Sequence, residues 1–443
     1  MVTEERHRAL LIRQNPWWQG KKTEIPVFER DLLSKLQKYI KYKQILAITG
    51  LRRVGKTTII KQVIQGLDAP KKNICYISFD DIDFQKYTVA EDLINYFLEF
   101  TDKNKKRYLF LDEIQKLPNW TDLLKTYYDT EDNLKIFLSG SSSLELKDKK
   151  ETLAGRILTF KLPVLSFSEF SRYFGMEYKS SKDIFHEYDL KLTGKKERYR
   201  DIFESYLLKG AFPELLDIKD EEFIRMYIKE SVIEKSVADI SKAAKEDEII
   251  IYELFRLLIN SNAQLFEITS ISNTLNINRN LVSRYVGLLE KSFLIKTIYN
   301  FTGSVAKQVR TNKKQYTAHS SIIIAMLDYP ESIIKTEVVG RLVEGIIVNS
   351  IDNLAFYRSP QKDEVDIVAK KGKELIPIEV KYQSQITKYD TKQIIKFSKK
   401  YNINRAVIVT KDLFDERNMD SVKILFIPAW LFLSDWENII TEL

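Results

Sequence analysis

Between about Gln44 and Leu165, short apolar runs alternate with longer stretches in which apolar positions recur every three to four residues. The runs read QILAITG, ICYISF, RYLFLDEI, LKIFLSG and RILTFKLPVL. A strand buried on both faces is apolar along its whole length, and parallel neighbours need an amphipathic crossover between them. This part predicts a parallel sheet with crossover helices. From about Ser166 to Ala244 the pattern turns helical and rich in Tyr, Phe and Lys. From Lys245 to about Asp328 the helical stretch DEIIIYELFRLLIN precedes two short helical patterns and the strand-like FLIKTIYNF. From about Pro330 the runs LAFYRS, EVDIVAK, LIPIEVKY, RAVIVTK and VKILFIPAWLFL predict a second α/β domain. The expected organisation is an N-terminal segment (1–40), a parallel-sheet core (41–165), a helical lid (166–244), a helix-turn-helix region (245–328) and a C-terminal α/β domain (329–443).

Composition narrows the chemistry. A chain of 443 residues suits about three domains. The formal charge of +8, from 70 basic and 62 acidic residues, permits nucleotide or nucleic-acid partners. The single cysteine, Cys75, excludes an intrachain disulfide and a cysteine-rich zinc site, and within ICYISF it reads as a small buried hydrophobe. His7, His186 and His319 are scattered, which disfavours a histidine metal cluster. The charged start MVTEERHRALL lacks the apolar core of a signal peptide. No apolar run approaches the roughly 18 residues that span a bilayer. The expectation is a soluble cytoplasmic protein with no membrane partner.

The stretch AITGLRRVGKTTII places Gly50-x-x-x-x-Gly55-Lys56-Thr57 between an apolar strand and an amphipathic helix. Glycines let backbone N–H groups wrap phosphate oxygens, and the helix N-terminus adds a favourable dipole. Lys56 is expected to reach the β- and γ-phosphates of ATP, and the Thr57 hydroxyl to ligate Mg²⁺. Arg52, Arg53, Val54 and Thr58 complete the loop and the start of its helix, and the two arginines either touch phosphates or decorate the loop. The strand RYLFLDEIQKL ends in Asp112, expected to hold Mg²⁺ through water, and Glu113, expected to polarise the attacking water. A third strand ends in Ser139, Gly140 and Ser141, where a side chain such as Ser141 either senses the γ-phosphate or serves the turn. Arg156, in ETLAGRILTF, is of a type that can act as a finger, toward the ATP of its own subunit or of a neighbouring one in a homo-oligomer, or it serves neither.

The strings NPWWQG, ITGLRRVGKTT, LFLDEIQKLPNW, LSGSSSLEL, LAGR followed by LPVLSFSEF, and LLKGAFPEL together resemble the AAA-type P-loop ATPases of archaea and bacteria. That family joins the ATPase core to a winged helix and a restriction-endonuclease-like, PD-(D/E)XK, C-terminal domain. The resemblance spans nearly the whole chain and implies an α/β fold with each of those parts. Trp17 and Trp18, just ahead of the core, read physically as apolar anchors.

The segment ITSISNTLNINRNLVSRYVGLLEKSFLI reads as helix, turn, helix, strand. Its second helix presents Arg279, Asn280, Ser283 and Arg284 on its early turns, the arrangement of a DNA-reading helix. A following wing would bring Lys307, Arg310, Lys313 and Lys314 near phosphates. The competing reading is a winged helix packed against protein with a merely solvated basic hairpin.

In LIPIEVKY, Glu379 and Lys381 are two residues apart and project from one face of a strand. Asp366 sits alone in EVDIVA. If the two strands pair as a hairpin turning near KKGKEL, Asp366 faces Glu379 and Lys381, and Glu344 from GRLVEGIIVNSI reaches the same edge. This resembles the E…D…ExK constellation of restriction-endonuclease-like nucleases. The resemblance implies that Asp366 and Glu379 hold Mg²⁺ or Mn²⁺, that Lys381 orients or deprotonates water, and that Glu344 completes the metal shell. The leading expectation is an ATPase coupling nucleotide state to DNA engagement, with a metal-dependent nuclease as its terminal module. The alternative is an ATP-switched regulator that hydrolyses slowly and does not cut.

Overall fold

The computed structural model describes residues 2–22, 24–140, 153–179, 192, 194–302 and 312–442. They form two compact units, Met1–Pro163 and Val164–Leu443. Both are mixed α/β.

The first unit is built on the predicted parallel sheet. Its strands are β1 (Ile45–Thr49), β2 (Ile74–Ser78), β3 (Arg107–Asp112), β4 (Leu134–Gly140) and β5 (Ile157–Lys161). They lie in the order β2-β3-β4-β1-β5, every pair parallel. β1, β3 and β4 are buried at every residue, which is why their sequences are apolar throughout. Cys75 is fully buried in this core, and burial pushes its thiol pKa well up. The chain reverses direction across the sheet between β4 and β1, and open α/β sheets bind ligands beyond the strand ends at such a point.

β2 is an edge strand, and an unpaired edge is a template for association. Here side chains from the N-terminal segment seal it. The Asn15 amide accepts from the Tyr76 N–H (2.7 Å) and donates to the Tyr76 carbonyl (2.8 Å). The Gln14 side chain accepts from the Ser78 N–H at 2.8 Å. Both indole N–H groups, Trp17 at 3.0 Å and Trp18 at 2.8 Å, donate to the Ile74 carbonyl. Trp18 also stacks on Phe97. The two tryptophans are thus hydrogen-bonding groups as well as apolar anchors.

In the second unit, helices over Phe167–Tyr173, Lys196–Lys209 and Lys235–Ala244 are followed by α1 (Glu248–Asn260), α2 (Ile268–Leu275) and α3 (Arg279–Lys291). A small antiparallel sheet pairs β8 (Lys313–Thr317) between β6 (Leu265–Phe266) and β7 (Ile295–Tyr299). Helix α4 (Val339–Ser350) leads into a six-stranded mixed sheet. Its strands are β9 (Leu354–Arg358), β10 (Glu364–Lys371), β11 (Glu374–Lys381), β12 (Arg405–Thr410), β13 (Asp415–Met419) and β14 (Val422–Pro428). Their order is β13-β14-β12-β11-β10-β9. β10 and β11 form an antiparallel hairpin, whereas β11, β12 and β14 run parallel.

The two sheets of this unit are joined. The Asn300 amide pairs with the backbone of Arg358 at 2.9 and 2.8 Å, and the Lys296 ammonium caps the end of α4 through the Val348 and Ile351 carbonyls at 2.7 and 2.6 Å. The small sheet is therefore fixed against β9 and α4.

The Asn15 amide meets both backbone groups of Tyr76, its N–H and its carbonyl, in a buried place. Asn15→Ala is expected to leave a donor and an acceptor unsatisfied and to cost roughly 2–4 kcal/mol. Urea denaturation followed by tryptophan fluorescence would show this as an earlier transition of the first unit.

Candidate functional site

At the carboxyl ends of β1, β3 and β4 the first unit gathers its polar side chains. The loop after β1 is pinned to the end of the sheet. The Leu162 N–H donates to the Thr49 carbonyl at 2.7 Å, and a Cβ on Gly50 would stand 2.2 Å from the Leu162 carbonyl oxygen. Only glycine fits there. Gly55, with φ of 96°, occupies the left-handed region just before the helix Lys56–Gly66. Arg30 braces the loop from outside, its guanidinium donating to the carbonyls of Val54 (2.7 Å) and Pro163 (2.9 Å). Arg52 is half-buried and Arg53 exposed.

Lys56 is buried and its ammonium donates to the Gly50 and Leu51 carbonyls at 3.1 and 2.9 Å. The lysine is held in the loop it would serve. Thr57 donates its hydroxyl to Asp112 at 2.6 Å. Asp112 is buried and receives two further donors, the Tyr76 hydroxyl at 2.8 Å and the Ser139 hydroxyl. Burial, and after it the charge of Asp112, holds the Tyr76 phenol well above its ordinary pKa, so it stays protonated and donates. Ser139 also accepts from the Glu113 N–H at 3.2 Å. Glu113 has φ of 53°, a left-handed conformation costly for a non-glycine residue, and it turns the chain at the end of β3. Gln115 donates to the Glu113 carboxylate. Thr57 and Asp112 present two adjacent hard oxygens and so fit Mg²⁺.

Arg156 is paired with Asp129 through two contacts, at 2.9 and 3.1 Å. Ser141 lies outside the described residues, as do Lys307 and Arg310. Sequence reading missed Tyr76 and Arg30. Neither has a local signal, because each acts across more than 20 residues of chain.

The second unit places Asp366 and Glu379 together. The β10–β11 register pairs Ile367 with Ile378, and the next step along the hairpin brings Asp366 to Glu379. Asp366 sits where the β10–β9 register shifts between Val365 and Val368, a bulge that re-aims side chains. Its carboxylate accepts from the Val380 N–H at 3.0 Å, and its own N–H donates to Glu379 at 3.3 Å. Lys381 pairs with Glu379 at 2.7 Å.

Glu344 shares the Lys314 ammonium with Asp366. It is buried and accepts from the Tyr316 hydroxyl at 2.6 Å. Lys314, expected on a wing near phosphates, is buried instead. Alternation along β8 points it inward with Tyr316, and its ammonium stands 2.6 Å from Glu364, 3.4 Å from Glu344 and 3.9 Å from Asp366. Arg358 also pairs with Glu364. Burial opposes the charge on Lys314, but Glu344, Asp366 and Glu364 outweigh it and raise its pKa. Burial first, then the charge of Asp366, pushes Glu344 up to about 7 and Glu379 up to about 8.

The donor chemistry here suits a divalent cation, and the Lys314 ammonium stands between Glu344 and Asp366. Among the described residues no group of three or more His, Cys, Asp or Glu side chains is placed to hold a metal ion. On α3, Arg279, Asn280, Ser283 and Arg284 are exposed, and Arg284 pairs with Glu246 at 2.6 Å. Lys313 is half-buried, its ammonium over the Tyr299 ring.

Residues 42–171 match the AAA domain family, and residues 200–332 and 333–430 match two domains of unknown function, DUF8612 and DUF4143. The chain is 28% identical over 441 residues to an uncharacterized protein of Methanocaldococcus jannaschii, covering 92% of this chain and 88% of that one. It is 22% identical over 425 residues to an uncharacterized protein of Haemophilus influenzae, covering 89% and 97%. A solved signal transduction ATPase with numerous domains and a tetratricopeptide repeat sensor, from Pyrococcus horikoshii, is 12% identical with a TM-score of 0.28. That match covers 74% of this chain and 49% of the solved one, so the chain spans about half its length. The AAA match and the five-stranded parallel core support a P-loop ATPase that binds ATP. Among the described residues no helix is long and apolar enough to cross a membrane.

Two outcomes follow from this geometry. Gly50→Ala forces the loop off Leu162 and should weaken ATP binding by roughly 10-fold or more, read by titration with a fluorescent ATP analogue. Glu344 and Glu379 bind protons more tightly in the folded chain than at the unfolded value of about 4.3. Their contribution to stability is therefore full below about pH 4 and is lost as pH rises through 7 and 8. The second unit's denaturation midpoint should fall between about pH 4.5 and 8, and Glu379→Gln should flatten that fall.

Proposed function

We propose that the chain is an ATP-hydrolysing AAA-type ATPase that engages DNA and carries a nuclease-like C-terminal domain. The observation that supports hydrolysis best is Thr57 donating to Asp112 at 2.6 Å beside the glycine loop. Backbone N–H groups of residues 50–57 cradle the phosphates. Lys56 exchanges the Gly50 and Leu51 carbonyls for β- and γ-phosphate oxygens. Thr57 and Asp112 would hold Mg²⁺, which when bound neutralises phosphate charge. Glu113, fixed by Ser139 through its N–H, orients the attacking water and accepts its proton. Arg156 reaches a neighbouring subunit's ATP only by exchanging Asp129 for phosphate, a step that assembly into a homo-oligomer would drive.

DNA engagement rests on the exposed early turns of α3, on the helix-turn-helix order with the small sheet beside it, and on the formal charge of +8. The nuclease-like reading rests on the hairpin that joins Asp366, Glu379 and Lys381. The second reading, an ATP-switched regulator without cleavage, gains from one observation: the Lys314 ammonium already faces Glu344 and Asp366.

Two assays test these readings together. ATP turnover should fall roughly 100-fold or more in Lys56→Ala. Turnover at the wild-type rate in that variant would overturn the ATPase assignment. Plasmid, branched and single-stranded DNA are then incubated with wild type, Asp366→Ala and Lys56→Ala in Mg²⁺ or Mn²⁺, with and without ATP. Cleavage lost in Asp366→Ala supports the nuclease. DNA bound but never cut selects the regulator.

A further inference from the structure

The carboxylate cluster of the second unit is shared by two parts of the chain. Four carboxylates, Glu344, Glu364, Asp366 and Glu379, meet three cations, Lys314, Arg358 and Lys381. Arg358 pairs with one oxygen of Glu364, and Lys381 with Glu379. Lys314 takes the other Glu364 oxygen and faces Glu344 and Asp366 as well. Its ammonium lies 3.4 Å from Glu344 and 3.9 Å from Asp366, with Glu364 at 2.6 Å. Its side chain is 4% exposed.

Nothing about this placement is loose. Lys314 lies on β8, the central strand of its sheet, with Leu265 opposite on one side and Ile298 on the other. Tyr316, two residues on and facing the same way, fixes Glu344 through its hydroxyl. The Lys314 ammonium also lies over the Phe356 ring, 5.6 Å from its centre. A buried charge persists only when paired, and this lysine is paired to groups that would otherwise be two uncompensated carboxylates, Glu344 and Asp366.

We infer that Lys314 is a tethered internal cation that takes the place of a divalent metal ion between Glu344 and Asp366, and that its removal opens a divalent-cation site. Without Lys314, Glu344 and Asp366 present hard oxygen ligands in a buried place with the lysine's ammonium gone from between them, the requirement of Mg²⁺ or Mn²⁺. The inference deepens the nuclease-like reading of this cluster, and its test reads metal binding, not cleavage.

Mn²⁺ is titrated into the full-length, nucleotide-free protein, with free Mn²⁺ followed by electron paramagnetic resonance. Lys314→Met is expected to bind one Mn²⁺ at least about tenfold more tightly than wild type, and Lys314→Met with Asp366→Asn is expected to lose that gain. If Lys314→Met does not fold, Lys314→Gln, which keeps a hydrogen-bond donor on β8, takes its place with the same expectation. The inference is overturned if the lysine variants bind Mn²⁺ no better than wild type, if the gained ion survives Asp366→Asn, or if wild type already holds Mn²⁺ tightly through Asp366. A gain of Mn²⁺ without DNA cleavage would uphold the internal cation and sink the nuclease. Cleavage by wild type that falls in Lys314→Met, with no Mn²⁺ gained, would do the reverse.

Discussion

A carboxylate at the end of a buried strand has to be answered by donors or cations, and both units are organised around that requirement. Asp112 closes β3, a strand with every residue buried. It survives there because Thr57, Tyr76 and Ser139 all donate to it. Those three donors come from the amino end of the helix after β1, from β2 and from β4, so satisfying one charge ties four elements together at the end of β3. The position of the glycine loop is a consequence. Thr57 is tied to Asp112, Gly50 is pressed against Leu162, and Arg30 holds the Val54 carbonyl, so the loop stands open toward the place where phosphates would enter.

The same requirement reaches the far edge of the first unit. Tyr76 keeps its hydroxyl on Asp112 only while β2 keeps its register, and among the described residues no strand pairs with the outward backbone of β2. Asn15, Gln14, Trp17 and Trp18 supply side-chain partners in place of that strand. The stretch around NPWW thus connects to the candidate Mg²⁺ position through one residue: Asn15 holds the Tyr76 backbone, and the Tyr76 hydroxyl holds Asp112.

What could be read from the sequence follows the range of the interaction. The glycine loop, the acidic end of β3 and the β10–β11 hairpin depend on spacings of a few residues, and apolar run length with alternation makes them legible. Tyr76, Arg30 and Asn15 depend on which distant strand lies alongside, and no local period reports that. Lys314 was misread for a related reason. In the run NKKQYT, Lys313 and Lys314 look alike as solvated basic residues, yet alternation in β8 sends one toward the Tyr299 ring and the other inward among carboxylates. The expected boundary between the middle and C-terminal segments also hid it, because Lys314 and Tyr316 enter from one side of that boundary and Glu344 from the other.

The two carboxylate centres differ in how their charge is met, and that difference bears on what each can do. Around Asp112 the donors Thr57, Tyr76 and Ser139 are all neutral hydroxyls. Around Asp366 and Glu344 the charge is met by an ammonium carried on the chain itself. Hydroxyl donors orient a carboxylate without competing for the same charge, whereas an ammonium competes with any metal for it. The first centre is therefore held by neutral donors alone among those three contacts. The second must either displace β8 by the length of a lysine side chain or work without a metal between Glu344 and Asp366, and because β8 is hydrogen-bonded on both sides, that displacement moves the whole small sheet against which α3 is packed.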